Sequence, residues 1–201
     1  MREKRNRLSS DEIITKSNQI FQQIEEFNAF SLVNDILIYV SYKSEVHTHE
    51  FIKRCLFLHK NVFVPKVYGR TMQFIQIEHM EDLKKGAYGI FEPVKDAPIW
   101  DDIYLKDNVL LKKEASLEEN VISKKNRQQK AIMILPALAV DMQFNRVGYG
   151  GGYYDRYLAV HSNMIKIAAV FDFQVMHRFE TEENDKKVDI IVTEKGLQGG
   201  V

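Results

Sequence analysis

The sequence predicts an α/β fold built on a largely parallel, twisted sheet with helices on both faces. Three observations predict it. Apolar runs of strand length recur along the chain, DILIYV (35–40), NVFVP (61–65), MQFIQI (72–77), AIMILPALAV (131–140), IKIAAVF (165–171) and VDIIVT (188–193). Stretches of helical spacing lie between several of them, and alternation of strand and helix is the signature of parallel pairing. Finally, 201 residues, of which 45% are hydrophobic, supply one sizeable core and too little for two. One Rossmann-like three-layer sandwich spanning residues 1–201 is therefore expected.

The elements follow in order. From Ser10 onward, Ile13, Ile14, Ser17, Ile20, Phe21, Ile24 and Phe27 recur at helical spacing. Ser9 or Ser10, ahead of Asp11 and Glu12, supplies the cap. DILIYV opens the sheet, the polar loop SYKSEVHT follows, and HEFIKRCLFLH (49–59) reads as a helix. NVFVP is a strand that Pro65 should stop. MQFIQI alternates as a half-buried strand does. The glycine-rich segment after AIMILPALAV leads into a helix from Tyr153 to Val160. Residues 105–130, LKDNVLLKKEASLEENVISKKNRQQK at their widest, are charged and weakly periodic and read as a surface insertion.

Composition excludes several functions. Lys plus Arg and Asp plus Glu are 28 each, so no global field draws the chain to nucleic acid or an anionic membrane. No run approaches the roughly 20 apolar residues of a bilayer span, which leads to the expectation of a cytoplasmic protein. One cysteine, Cys55, gives no disulfide framework, and its apolar setting suits a buried inert thiol. His47 and His49 form an HxH pair without further ligands nearby in sequence, which argues against zinc.

The chemistry concentrates in RVGYGGGYYDR (146–156), where four glycines occupy five positions. Glycine lets a ligand approach successive amides, and a strand, glycine turn and helix N-terminus together suit a phosphate. Arg146 and Arg156 flank it with charge. A tight turn that needs glycine for geometry alone is the competing explanation. The segment matches neither the P-loop ending nor G-x-G-x-x-G, so a different phosphate site is required.

LPALAVDMQFNRVGYGGGYYDRYL resembles the hallmark segment of the 5-formyltetrahydrofolate cyclo-ligase family. RLSSDEIITKSNQI, LIYVSYKSEVHTHEFI, KKGAYGIFEP and ENDKKVDIIVTE resemble further family segments in the same order. The resemblance implies an enzyme that closes 5-formyltetrahydrofolate to 5,10-methenyltetrahydrofolate with ATP and Mg2+. It implies that Arg146, Val147, Gly148, Tyr149, Gly150, Gly151, Gly152, Tyr153 and Tyr154 cradle ATP. Val40, Glu45 and residues Tyr149, Gly150, Gly151, Gly152 and Tyr153 would meet the folate, and Asp155 and Asp185 would hold Mg2+. Each residue has a plainer use: Asp155 can complement a helix dipole, Asp185 can be part of a solvated charge run, and Tyr153 and Tyr154 can be core rings. The family's N-terminal Lys and Arg arm, which reaches ATP, has no clear counterpart. Only MREKRNR precedes Leu8, leaving Arg2, Lys4 and Arg5 as substitutes, a weaker hold on ATP, or an upstream start. Ala137 and Val140 depart from the family strand in packing only. A monomer with small-molecule substrates and no nucleic-acid or membrane partner is expected. The alternatives are another ATP-dependent enzyme on the same scaffold, or a non-catalytic nucleotide- or RNA-binding relative.

Overall fold

The computed structural model describes residues 1–86, 89–94, 97–101, 131–161, 163–182 and 185–199. The expected insertion at 105–130 lies outside them. A short helix α1 (Arg2–Asn6) precedes α2 (Ser10–Glu26) and α3 (Asn28–Leu32). Ser9 caps α2 with a complete capping box: its Oγ accepts from the Glu12 N–H at 3.2 Å, and Glu12 Oε2 accepts from the Ser9 N–H at 2.8 Å. The helix buries Ser17, Ile20, Phe21 and Ile24 of the face its sequence spacing marks out, whereas Ile14 is exposed.

Strand β1 (Asp35–Ile38) is followed by α4 (His49–Phe57) and the hairpin of β2 (Asn61–Tyr68) and β3 (Thr71–Ile77). A small hairpin pairs β4 (Leu83–Lys85) with β5 (Phe91–Pro93). Then come β6 (Ala131–Leu135), β7 (Ala139–Asp141), β8 (Arg146–Val147), α5 (Tyr153–Val160), β9 (Ile165–Ala169), β10 (Val175–Met176), β11 (Ile190–Thr193) and β12 (Gly196–Gly199). The main sheet runs β12-β11-β9-β6-β1-β2-β3. Its pairings are parallel from β11 across to β2, while β12 and β3 add antiparallel edges.

Both faces of the sheet are buried, so its strands are apolar without alternation. Ile36, Ile38, Ile132 and Ile134 pack toward α2, α3 and α4, whereas Leu37, Ala131, Met133 and Leu135 pack toward Tyr157 and Leu158 of α5. Cys55 is buried among the first set, and burial pushes its thiol up to about 12, as suits an inert side chain.

Two expectations are corrected. Pro65 does not stop β2, which continues to Tyr68. The register with β1 ends at Phe63, so Pro65 pairs only with β3, opposite Phe74, and the missing N–H costs no ladder bond on the other side. AIMILPALAV is not one strand: Pro136 separates β6, in the main sheet, from β7, which joins β8 and β10 in a second sheet.

The capping box closes two donors at the start of α2, one of the three helices that cover one core face. Ser9→Ala is expected to lower stability by about 1 kcal/mol, read as a lower urea midpoint at unchanged slope.

Candidate active site

Strand order reverses between β1 and β6, and in open α/β sheets ligands enter beyond the carboxyl ends of strands at such a switch point. A cleft opens there, lined by Tyr39 after β1, Pro136 and Ala137 after β6, Ala169 at the end of β9, and Gln174. Arg5, Glu45, Val46 and Tyr149 complete its walls. The walls leave next to no space that a water molecule could enter, against roughly 300–1,000 Å³ for pockets that bury drug-sized ligands. The cleft is therefore drawn closed by its own side chains.

The 41–48 loop is braced from within. The Ser41 N–H donates to Thr48 Oγ1 at 2.9 Å and the Thr48 N–H to Ser41 Oγ at 3.1 Å. Tyr39, buried, donates its hydroxyl to the Val46 carbonyl at 3.0 Å. Glu45 sits at the loop's tip, where its Oε2 accepts from the Tyr42 N–H at 2.8 Å. Val40 is 4% exposed and belongs to the core beneath the loop, while its neighbour Tyr39 faces the cleft. His47 and His49 stack at 4.6 Å, and burial lowers both pKa values.

The glycine turn hangs between fixed ends. Asp141, fully buried at the end of β7, accepts from the Gln143 and Asn145 N–H groups at 2.9 and 3.0 Å and from Asn145 Nδ2 at 2.9 Å. Burial alone would raise its pKa, but the hydrogen bonds from Asn145, Gln143 and Phe179 outweigh it and hold the carboxyl below its ordinary 3.8. These bonds set the 141–145 turn, in which Phe144 takes a φ of 65°, and deliver Arg146 into β8.

Arg146 is buried under the turn. It donates to Asp155 Oδ1 at 2.9 Å and to the Pro136 carbonyl at 3.2 Å, and its guanidinium lies 5.7 Å from the Tyr154 ring centre. Its Nε is buried with no hydrogen-bond partner among the described residues. A Cβ on Gly148 would lie 2.9 Å from Arg146 Nη1, so the arginine packs directly against the turn. Val147 and Tyr149 are exposed at the surface of the turn.

Gly150 has a φ of 87° with open space where a Cβ would stand. Gly152 is left-handed at the N-cap of α5, and the first turn of that helix offers amides without intrahelical partners. Gly151 lies against the Tyr153 ring, whose hydroxyl donates to the Gly69 carbonyl at 3.0 Å. Arg156 holds the Gly151 and Arg70 carbonyls and packs against Gly152. Tyr154 packs against both core faces, and burial pushes its pKa up.

Asp155 lies in the first turn of α5. Its Oδ1 accepts from Arg146 and from the Lys186 N–H at 3.2 Å, which brings the backbone beside Asp185 to the same place. Asp185 Oδ2 accepts from the Glu182 N–H at 2.9 Å. Asp155 Oδ2 and Asp185 Oδ1 have no hydrogen bonds among the described residues, so each side chain keeps one oxygen to offer. No cluster of three metal-ligating side chains occurs among the described residues. Two carboxylates fit Mg2+, which binds by one or two carboxylates and completes its shell with water and phosphate.

Sequence reasoning leaves Asp141 and Gln174 without roles. Gln174 is buried and donates to the Ala137 and Leu138 carbonyls, fixing the chain just after β6. Spacing carries no signal for a side chain that acts through carbonyls over thirty residues away.

The sequence profile of the 5-formyltetrahydrofolate cyclo-ligase family matches residues 1–194. The chain belongs to this family. It is similar to a probable 5-formyltetrahydrofolate cyclo-ligase of Schizosaccharomyces pombe, 28% identical over 92% of this chain and 87% of that protein. The mouse 5-formyltetrahydrofolate cyclo-ligase is 26% identical over 93% and 86%. Among solved structures, the Aquifex aeolicus 5,10-methenyltetrahydrofolate synthetase superposes with a TM-score of 0.75 at 25% identity, covering 98% of this chain and 87% of that one. Family membership makes the chain a ligase of folate chemistry. No helix among the described residues is long and apolar enough to cross a membrane.

Asp141 titrates with a depressed pKa, so its contribution to stability is complete above the unfolded value near 4. That contribution fades as pH falls through the folded value. Asp141→Asn is expected to cost about 1–3 kcal/mol at neutral pH, through donors left without an acceptor. The deficit should shrink in acid when urea unfolding of variant and wild type is compared across pH.

Proposed function

We propose that the chain is a single catalytic domain that uses ATP and Mg2+ to cyclise 5-formyltetrahydrofolate to 5,10-methenyltetrahydrofolate, releasing ADP and phosphate. The observation that supports this best is the glycine turn itself: Gly150 faces open space, α5 begins behind it, and a buried arginine with an unmatched donor packs against it. An anion on this turn would meet amide donors, the positive end of a helix dipole and a guanidinium held in place beforehand.

In this reading residues 146–154 hold the triphosphate, and Tyr149 to Tyr153 also border the folate. Glu45 accepts from the N–H groups on the pterin edge, and Val40 supports the loop that carries it. The formyl oxygen attacks the γ-phosphorus and ADP departs. N10 then adds to the activated formyl carbon, gives up its proton, and phosphate leaves as the ring closes. A formamide carbon is a poor electrophile and its oxygen a poor leaving group, and phosphorylation remedies both. Asp155 and Asp185 would hold Mg2+, which supplies charge neutralisation to the phosphates. The protein's share is position and field, because Arg146 and the turn are fixed before substrate arrives. The protein is read as a cytoplasmic monomer, and its balanced charge gives no global attraction to nucleic acid or an anionic membrane.

Purified protein with 5-formyltetrahydrofolate should develop the near-ultraviolet band of the methenyl product only when ATP and Mg2+ are both present. A band without ATP, or none with all three, contradicts the proposal. Glu45→Ala should raise KM for the folate by about 10- to 100-fold, the equivalent of one or two charge-assisted hydrogen bonds, and leave KM for ATP within about twofold. Equal effects on both contradict its assignment. Gly150→Val, which forces a β-branched residue to a φ of 87°, should weaken ATP binding by about tenfold or more with the circular dichroism spectrum retained.

A further inference from the structure

The reciprocal hydrogen bonds between Ser41 and Thr48 join the two ends of the loop that carries Glu45. A third residue completes the joint. His49, the first residue of α4, brings its Nδ1 to 3.1 Å from Ser41 Oγ. Ser41 is buried, and its Oγ already accepts the Thr48 N–H. Buried hydroxyls donate as well as accept, and among the described residues the Ser41 proton finds its acceptor in that imidazole nitrogen. A neutral ring with its own proton on Nε2 takes it. The ring is held in place by two neighbours: His47 stacks on it at 4.6 Å, and the Phe91 ring of β5 meets it edge-on at 5.9 Å.

A charge on His49 would undo this arrangement. An imidazolium carries a proton on Nδ1, so Ser41 Oγ would have to accept twice while its own proton lost its acceptor. The surroundings oppose that charge. Burial, then His47, then Lys53 hold the His49 pKa below its ordinary 6.5, and Glu50 offsets them in part. From β5 the ring meets Phe91, with Lys85 Nζ 5.9 Å from the Phe91 ring centre, and α2 meets the loop at the uncharged Ser17, which accepts the His47 N–H at 2.8 Å. We infer that His49 is a positioning residue for the folate side of the cleft: its neutral imidazole accepts the Ser41 hydroxyl proton and so fixes the Ser41–Thr48 brace that holds Glu45 in place. The inference rests on the reading of Glu45 as the folate-binding acid. His49 acts through the Ser41 hydroxyl on the neck of the loop, and through the loop on Glu45.

His49→Leu removes the acceptor, whereas His49→Asn offers Oδ1 in the place of Nδ1 and cannot titrate. At about pH 8, above the ordinary histidine range, His49→Leu should raise KM for 5-formyltetrahydrofolate by about fivefold, the equivalent of one hydrogen bond. KM for ATP should stay within about twofold of wild type, and His49→Asn should restore the wild-type KM for the folate. The brace is complete above the unfolded pKa near 6.5 and is lost as pH falls through the lowered folded value. Wild-type KM for the folate should therefore climb in acid relative to that of His49→Asn. Equal rises in the two variants, or parallel pH profiles of wild type and His49→Asn, overturn the inference. A measurement without ligand separates it from the functional reading: exchange of the Thr48 amide proton, followed by NMR, should quicken by about fivefold in His49→Leu and stay as in wild type in His49→Asn. Unchanged exchange in His49→Leu overturns the brace whatever the folate result. If wild type binds no folate but exchange quickens in His49→Leu alone, the folate assignment falls and the brace stands.

Discussion

The ion pair of buried Arg146 with the half-buried Asp155 is the constraint on which the site depends. A guanidinium this deeply buried is tolerated only with partners, and removing one partner of such a pair is far more costly than the pair is stabilising. Here the partners come from two elements: Asp155 and the Tyr154 ring on α5, and the Pro136 carbonyl just after β6. The result ties β8, α5 and the main sheet to one point. The glycines between β8 and α5 then have fixed ends, and their freedom is confined to how the turn faces outward. One donor, Nε, stays unmatched. Buried unmatched donors are rare in native proteins, and those that persist call for an explanation such as a ligand.

The remainder of the cleft follows from topology. Parallel strands put all their carboxyl ends on one edge, so Tyr39, Pro136 and Ala169 meet without any contact between their loops being required. Where β1 and β6 send their chains to opposite sides, a crevice is left between them. Asp141 and Gln174 convert that crevice into a defined wall by binding backbone groups across turns. Both are buried polar residues whose hydrogen bonds are satisfied, which is the condition for such groups to specify one conformation.

Much of this was legible in the sequence because the signals were local. The first-turn Ser-x-x-Glu pattern at Ser9 and Glu12, the apolar stripe of α2 and the helix after Gly152 each depend on neighbours within one or two turns, and each is found where spacing puts it. The fold class followed from strand and helix alternation, and the family from the long glycine-rich segment. What the sequence hid depends on distant partners. Pro65 reads as a stop unless one knows that β1 has already ended beside it. Pro136 reads as a blemish within one strand unless one knows that β7 belongs to another sheet. Arg5, in a charged N-terminal run, gives no local sign that it is buried against residues 39 and 144 positions away.

The central claim is that the amides between Arg146 and Asp155 hold a triphosphate. Amide chemical shifts of Gly148, Gly150, Gly151 and Gly152 in labelled protein, followed by NMR as ATP is added, test it most directly. The account predicts that these resonances move together and saturate with the same Kd as ATP binding. If ATP binds while these amides keep their ligand-free positions, the triphosphate lies elsewhere and the account is contradicted.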